Sequence, residues 1–184
     1  MLETERLLLR KPQREDADAL VPLLTDPRVT RYIGSGQDAD PISVIERWLG
    51  RWQANGVGHF LIERRQDGAF LGRTGIVVWD TRTWRNTTRG EAGLHAQPEL
   101  GWALVRPHWG KGYATEAARA VRDWAYEEAG VVRLISLIQP ENLASQRVAE
   151  RLGAVPTESV TLESGVPCVL WLHRCRTRAG FARG

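Results

Sequence analysis

The chain has 184 residues, of which 42% are hydrophobic and 26% charged, with a formal net charge of +3. That length and balance suit one globular domain with a sizeable core and exclude a largely disordered chain; no stretch approaches the roughly 20 apolar residues that span a bilayer. Its 25 basic residues are spread along the chain and form no basic run, so a nucleic-acid surface is not expected, while a mild positive field suits an anionic ligand.

In chain order, "ERLLLRK" predicts a first strand, and "REDADALVPLLTD" a short helix with acidic residues in its first turn, where the helix dipole favours them. "PISVIERWLGRWQANG" predicts a helix that starts at Pro41, carries Ile42, Ile45, Trp48, Leu49 and Trp52 at helical spacing, and stops at Gly56. Two apolar runs follow, separated by Gln66, Asp67 and Gly68, and the Asp-Gly pair is a strong hairpin signal. The polar insert over 80–97 has no periodicity and reads as a functional loop or a mobile one. Glu99 is expected to begin the next strand, "ELGWALV", directly after Pro98.

Beyond residue 105 the pattern gives a long helix over about 112–129, a strand "RLISLIQ", a helix over 143–152 and two final strands. A helical crossover joins "ELGWALV" to "RLISLIQ", so these two strands should be parallel neighbours. The expected architecture is α/β, a mixed sheet of six or seven strands flanked by helices, in a single domain over 1–175 with a loose basic tail over 176–184.

Cys168 and Cys175 lie on what reads as one strand, roughly 23 Å apart and on opposite faces, too far to pair with each other. His59, His95, His108 and His173 do not fall at metal-ligand spacing, so no metal is expected. No leader pattern opens the sequence, so a cytoplasmic location is expected, where the sequon at Asn86 would carry no glycan.

The most informative stretch is "RPHWGKGYATEAARAVRDWAYEEAG", where Gly110 and Gly112 bracket Lys111 between a strand and a helix. A helix mouth presents backbone N–H groups without intrahelical partners, and glycines let them converge on a phosphate. A P-loop would need Gly-Lys followed by Ser or Thr, and a dinucleotide fingerprint would need a third glycine at position 115, which is Thr. Both are excluded.

The order of elements and the wording of residues 99–153 resemble the GNAT superfamily of acyl-CoA-dependent N-acetyltransferases. "WGKGYA" stands at that family's pyrophosphate loop, with Gly112 and Ala114 at its two small positions and Trp109 where the family usually has Gln or Arg. "TERLLLRKPQREDADAL", "PELGWALVRPHWGKGYATEA" and "PENLASQRVAERLGAV" resemble the RimJ/RimL-type branch, which acetylates protein N-termini. The resemblance implies a mostly antiparallel sheet with a central parallel pair, about four helices and a V-shaped slot where the pair parts. It also implies acetyl-CoA as cosubstrate, an amine acceptor on a protein N-terminus or a small molecule, and compatibility with a homodimer.

Residue by residue, the resemblance implies that the backbone of Gly110, Lys111, Gly112, Tyr113, Ala114 and Thr115 cradles the CoA pyrophosphate, with Arg106 and Lys111 near the outer phosphates. Leu104 and Val105 would pair their backbone with the pantetheine amides, and Glu99 would take the amine's proton, usually through water. Asn142, three residues before Ser145, is by its own pattern a sound helix N-cap. The resemblance adds a hydrogen bond from Asn142 to the pantetheine arm and places Ser145 near the thiol. None of Tyr32, Tyr113 and Tyr126 falls in the late strand that carries the leaving-group acid in many relatives, so Ser145 or water is left for that role.

Overall fold

The computed structural model describes residues 1–33 and 40–174. Its elements, in order, are β1 (Leu2–Glu3), β2 (Leu7–Arg10), α1 (Ala17–Thr25), α2 (Pro27–Ile33), α3 (Pro41–Asn55), β3 (His59–Arg64), β4 (Phe70–Asp80), β5 (Arg85–Thr87), α4 (Arg89–Ala92) and β6 (Ala96–Leu104). Then come α5 (Tyr113–Glu127), β7 (Leu134–Ile138), α6 (Leu143–Arg151), β8 (Val155–Thr161) and β9 (Pro167–His173). The strands form one nine-stranded sheet in the order β1-β2-β3-β4-β6-β7-β9-β8, with β5 on β4. The β6/β7 pair is parallel and the other pairs are antiparallel. The class is the expected one, with more elements than expected. The additional strands β1 and β5 have two and three residues, and the helices α2 and α4 have seven and four, too short to show a period.

Local chemistry sets the bounds of α3. The Asp40 carboxylate accepts the Ser43 N–H at 2.9 Å to cap its start, and Gly56, at φ 68°, ends it by donating its N–H to the Trp52 carbonyl at 3.0 Å. Alternation along β3 then builds two layers. Phe60 and Ile62 join the core beneath α5, while Leu61 joins Leu20, Leu24, Val44, Ile45 and Trp48 beneath α1 and α3. The small residues Ala117, Ala118 and Ala125 of α5 are fully buried and let this helix lie close on the sheet.

The polar insert is ordered by its own contacts. β5 pairs with β4, Thr88 and Glu91 form a capping box on α4, and the Arg89 N–H donates to Asn55 Oδ1 at 2.8 Å, tying the insert to α3. Cys168 is buried on β9, its thiol pushed up to about 11 by burial and, secondarily, by the charge of Glu99. Cys175 and the tail over 176–184 lie outside the described residues.

The parallel pair is the feature that positions the site. β6 pairs with β4 from Ala96 to Leu104, but with β7 its register consists of the single pair Glu99↔Ile135. A side-chain bridge reinforces that one contact. The Ser136 hydroxyl on β7 donates to the Leu100 carbonyl at 2.6 Å and lies 2.9 Å from His173 Nε2 on β9. The hydroxyl has one proton and gives it to Leu100, so His173 Nε2 carries the hydrogen and donates. Beyond this point β6 parts from β7, opening a slot along Gly101–Leu104. Ser136→Ala leaves the Leu100 carbonyl and His173 Nε2 buried without this partner. Urea unfolding is expected to show a loss of about 2 kcal/mol.

Candidate active site

The slot opens into a cavity of about 570 Å³ between α3, β4, β6, β7 and the start of α6. Glu99, Asn142 and Ser145, named from sequence far apart along the chain, all line it. Glu99 is the fourth residue of β6, because the strand begins at Ala96, which corrects the expectation that Glu99 opens it. An interior position holds the carboxylate between β4 and β7, opposite Val77 and Ile135. Burial there pushes its pKa up to about 7, against the opposing pull of the Trp79 indole, the Arg73 charge and the Leu137 backbone. Trp79 Nε1 lies 3.5 Å from Glu99 Oε2, and Glu99 takes part in none of the ion pairs among the described residues. A carboxylate half protonated at neutral pH is matched to proton transfer.

Asn142 caps α6 as its pattern required, its Oδ1 accepting the Ser145 N–H at 3.1 Å. Capping uses the oxygen and leaves the amide hydrogens for a ligand. Ser145 sits in the first turn of α6, where the positive end of the helix dipole favours negative charge nearby, such as a thiolate.

At the far end of β6 the glycine turn has the backbone its sequence demanded. Gly110 and Gly112 stand at φ 74° and 82°, and Gly112 begins α5 without any side-chain cap. The N–H groups of Tyr113, Ala114 and Thr115 therefore open onto the turn without intrahelical partners. Thr115 Oγ1 is buried with no hydrogen-bond partner. Together these fit an anion such as a pyrophosphate. Arg106 and Lys111 are exposed beside the turn.

Trp109 has a definite task. Its indole N–H donates to the Leu104 carbonyl at 2.7 Å, so this side chain fastens the turn to the end of β6. Val105 is also engaged, its N–H donating to Leu71 at 2.9 Å and its carbonyl accepting from His108 at 3.0 Å. The Leu104 N–H points to the same open side as its carbonyl. Trp109→Phe keeps the ring and removes the bond. It is expected to weaken acetyl-CoA binding about fivefold by titration calorimetry, the effect of roughly 1 kcal/mol.

Several site residues escaped sequence reasoning. Arg6, before β2, donates from Nη1 to the Lys111 carbonyl at 3.1 Å, pairs with Glu116 at 2.6 Å and lies over the Tyr113 ring at 4.6 Å, clasping the glycine turn from across the chain. No local signal announces it. Arg47, Arg51, Arg73, Trp79, His59 and Tyr32 line the cavity. For Arg47 and Arg51 the signal was present: with Val44 and Trp48 they share one face of α3 by helical spacing. His59 is held well below the usual histidine range by burial and by Arg73, Arg51 and Arg47, so it is neutral. Among the described residues no group of three or more His, Cys, Asp or Glu could hold a metal ion, and no helix is long and apolar enough to cross a membrane.

An open mixed sheet, parted at one parallel pair, with a glycine-lined helix mouth and a carboxylate set between β4 and β7, fits the expected acyl-CoA-dependent transferase. The family model for the GNAT acetyltransferase domain matches residues 6–155, and the chain belongs to that family. It is 36% identical over 154 residues to YkkB of Bacillus subtilis, covering 83% of each chain. It is 32% identical over 157 residues to the N-acetyltransferase p20 of Bacillus licheniformis, covering 82% of this chain and 80% of p20. The crystal structure of an acetyltransferase from Agrobacterium tumefaciens superposes with a TM-score of 0.76 at 31% identity, covering 94% of both chains. The protein is an N-acetyltransferase that uses acetyl-CoA.

Proposed function

We propose that the protein transfers acetyl to a primary α-amine by direct attack on the thioester, with Glu99 as general base and a peptide or protein N-terminus as the acceptor. The observation that carries this is the Glu99 carboxyl, raised to about 7, in one cavity with Asn142 and Ser145. An α-amino group has a pKa near 7.7 to 8, so roughly one in seven is neutral at pH 7, against about one in 2,500 for lysine. A base of matched pKa removes the remaining proton as the bond forms.

Bound acetyl-CoA supplies the activated acetyl group. The backbone N–H groups of residues 110–115 hold its pyrophosphate, Arg106 and Lys111 lie near its outer phosphates, and Leu104 and Asn142 line the path of the pantetheine arm, Val105 having its N–H and carbonyl taken by Leu71 and His108. Ser145 stands near the thiol, and Ser145 or water gives the leaving group its proton. The three RimJ/RimL-like stretches support the N-terminal acceptor. The small-molecule reading draws on the cavity, whose 570 Å³ lies within the usual range for small-ligand sites.

The test is thiol release from acetyl-CoA with a short peptide bearing a free N-terminal Ala. Release is expected with the free peptide and lost when its N-terminus is blocked. Equal release with the blocked peptide would contradict an N-terminal acceptor.

A further inference from the structure

Several arginines outside the cavity have a carboxylate partner. Arg6, Arg10, Arg14, Arg64, Arg65, Arg82 and Arg122 each form an ion pair. The arginines of the cavity do not: Arg47, Arg51 and Arg73 line it, and none takes part in an ion pair among the described residues. Glu99 is the one carboxylate among the described lining residues, and burial leaves it half neutral at pH 7.

This concentration of charge disfavours the free protein. Arg47 and Arg51 stand one turn apart on the same face of α3, an arrangement in which like charges repel. Burial lowers Arg51, with Arg47 adding to the effect, and burial lowers Arg73 to about 10. Arg51 and Arg73, partly desolvated and outside every ion pair among the described residues, are compensated when an anion enters. Their placement relative to the base is also specific. A Cβ built on Gly101 would stand 3.5 Å from Glu99 Oε1 and 3.7 Å from Arg73 Nη1, so the carboxylate and the guanidinium flank one point on β6.

We infer that the acceptor is a carboxylate-bearing primary amine, its amine at Glu99 and its carboxylate held by Arg73, Arg51 and Arg47. The inference rests on the acetyltransfer reading and specifies the charge of its acceptor, and a free α-amino acid as the source would replace the peptide N-terminus. The carboxylate is either that of a free α-amino acid, one carbon from the amine, or an acidic side chain near a peptide N-terminus. Polyamines and aminoglycosides, which are polycations, are repelled by the same three residues.

The test pairs acceptors that differ only in this charge: glutamate against its diamide, and a peptide beginning Ser-Glu against one beginning Ser-Gln, with spermidine and kanamycin as cationic comparators. In the wild type, kcat/KM from thiol release is expected to favour the carboxylate member at least tenfold, carried in KM, and the pair that shows it identifies the source. Arg51→Gln and Arg73→Gln should each bring that ratio down toward one. Titration of the N-acetylated carboxylate and amide products into the CoA-loaded protein reads the same preference without turnover, so it serves variants of low activity. Equal use of the two members, a preference for spermidine or kanamycin, or a ratio unchanged in both variants overturns the inference. If acetyl-CoA itself fails to bind the wild type, the acetyltransfer reading falls and this inference with it. If acetyl-CoA binds and acetyl is transferred without carboxylate preference, only the inference falls.

Discussion

Glu99→Gln is expected to lower kcat/KM for acetyl transfer by about 10²- to 10³-fold, the usual contribution of a positioned general base. The amide keeps the size and the hydrogen-bonding oxygen that faces Trp79 and removes only the ability to take a proton. Acetyl-CoA affinity, set at the other end of β6, is expected to change less than twofold by titration calorimetry. The same replacement should stabilise the fold at alkaline pH. Burial raises the folded pKa of Glu99 to about 7 from the ordinary value of 4.5, so between these values the folded state binds more protons than the unfolded one. Stability contributed by this group is therefore present below the unfolded value and lost as pH rises through 7. Gln does not ionise, and thermal unfolding above pH 7 should show the variant more stable by up to about 3 kcal/mol, following 1.36 kcal/mol per pKa unit. A variant that loses activity while gaining alkaline stability is the signature of a carboxylate held for chemistry at the expense of the fold.

Gly112→Ala is expected to weaken acetyl-CoA binding roughly thirtyfold. Gly112 sits at φ 82°, where a side chain is strained, and its new Cβ would stand 3.4 Å from Arg6 Nη2. Strain of about 1–3 kcal/mol is enough to rotate the turn out of its present conformation. The N–H groups that then turn away from the pyrophosphate are worth about 1.5–3 kcal/mol each. Gly90→Ala is the control, since a Cβ there meets nothing within 4 Å and its φ is ordinary; acetyl-CoA affinity should be unchanged. Titration calorimetry on the two variants separates a specific cradle from a general sensitivity to glycine replacement.

What could be read from the chain divides along a physical line. Features set by neighbours in sequence were legible: α3 begins and ends where Pro41 and Gly56 place it, and Asn142 caps α6 because the cap is three residues of local geometry. The start of β6 was misplaced for a reason the ladder supplies. Pro98 looks like a strand opener because proline lacks an N–H, yet it pairs with Val78 inside the strand. Its missing donor falls on the β7 side, where the register is a single pair and no ladder bond is lost.

The site itself was half legible. Glu99 and the glycine turn could be named from a family resemblance, but the burial that tunes Glu99 depends on β4 and β7 closing over it. Arg6 and Trp109 act through a carbonyl at Lys111 and one at Leu104, contacts that follow from the fold and have no sequence period. Arg73 enters the cavity from β4 and Arg47 and Arg51 from α3. Only the packing of that helix on that strand makes them one cluster.

The role proposed for Glu99 is to take the acceptor's proton in an acetyl transfer from acetyl-CoA. The most direct measurement is kcat/KM between about pH 5.5 and 9, expressed per neutral amine so that the acceptor's own titration cancels. In the wild type it should rise through a single ionisation near 7 to a plateau, and in Glu99→Gln it should be low and flat. A rise near pH 7 that persists unchanged in Glu99→Gln would contradict the account.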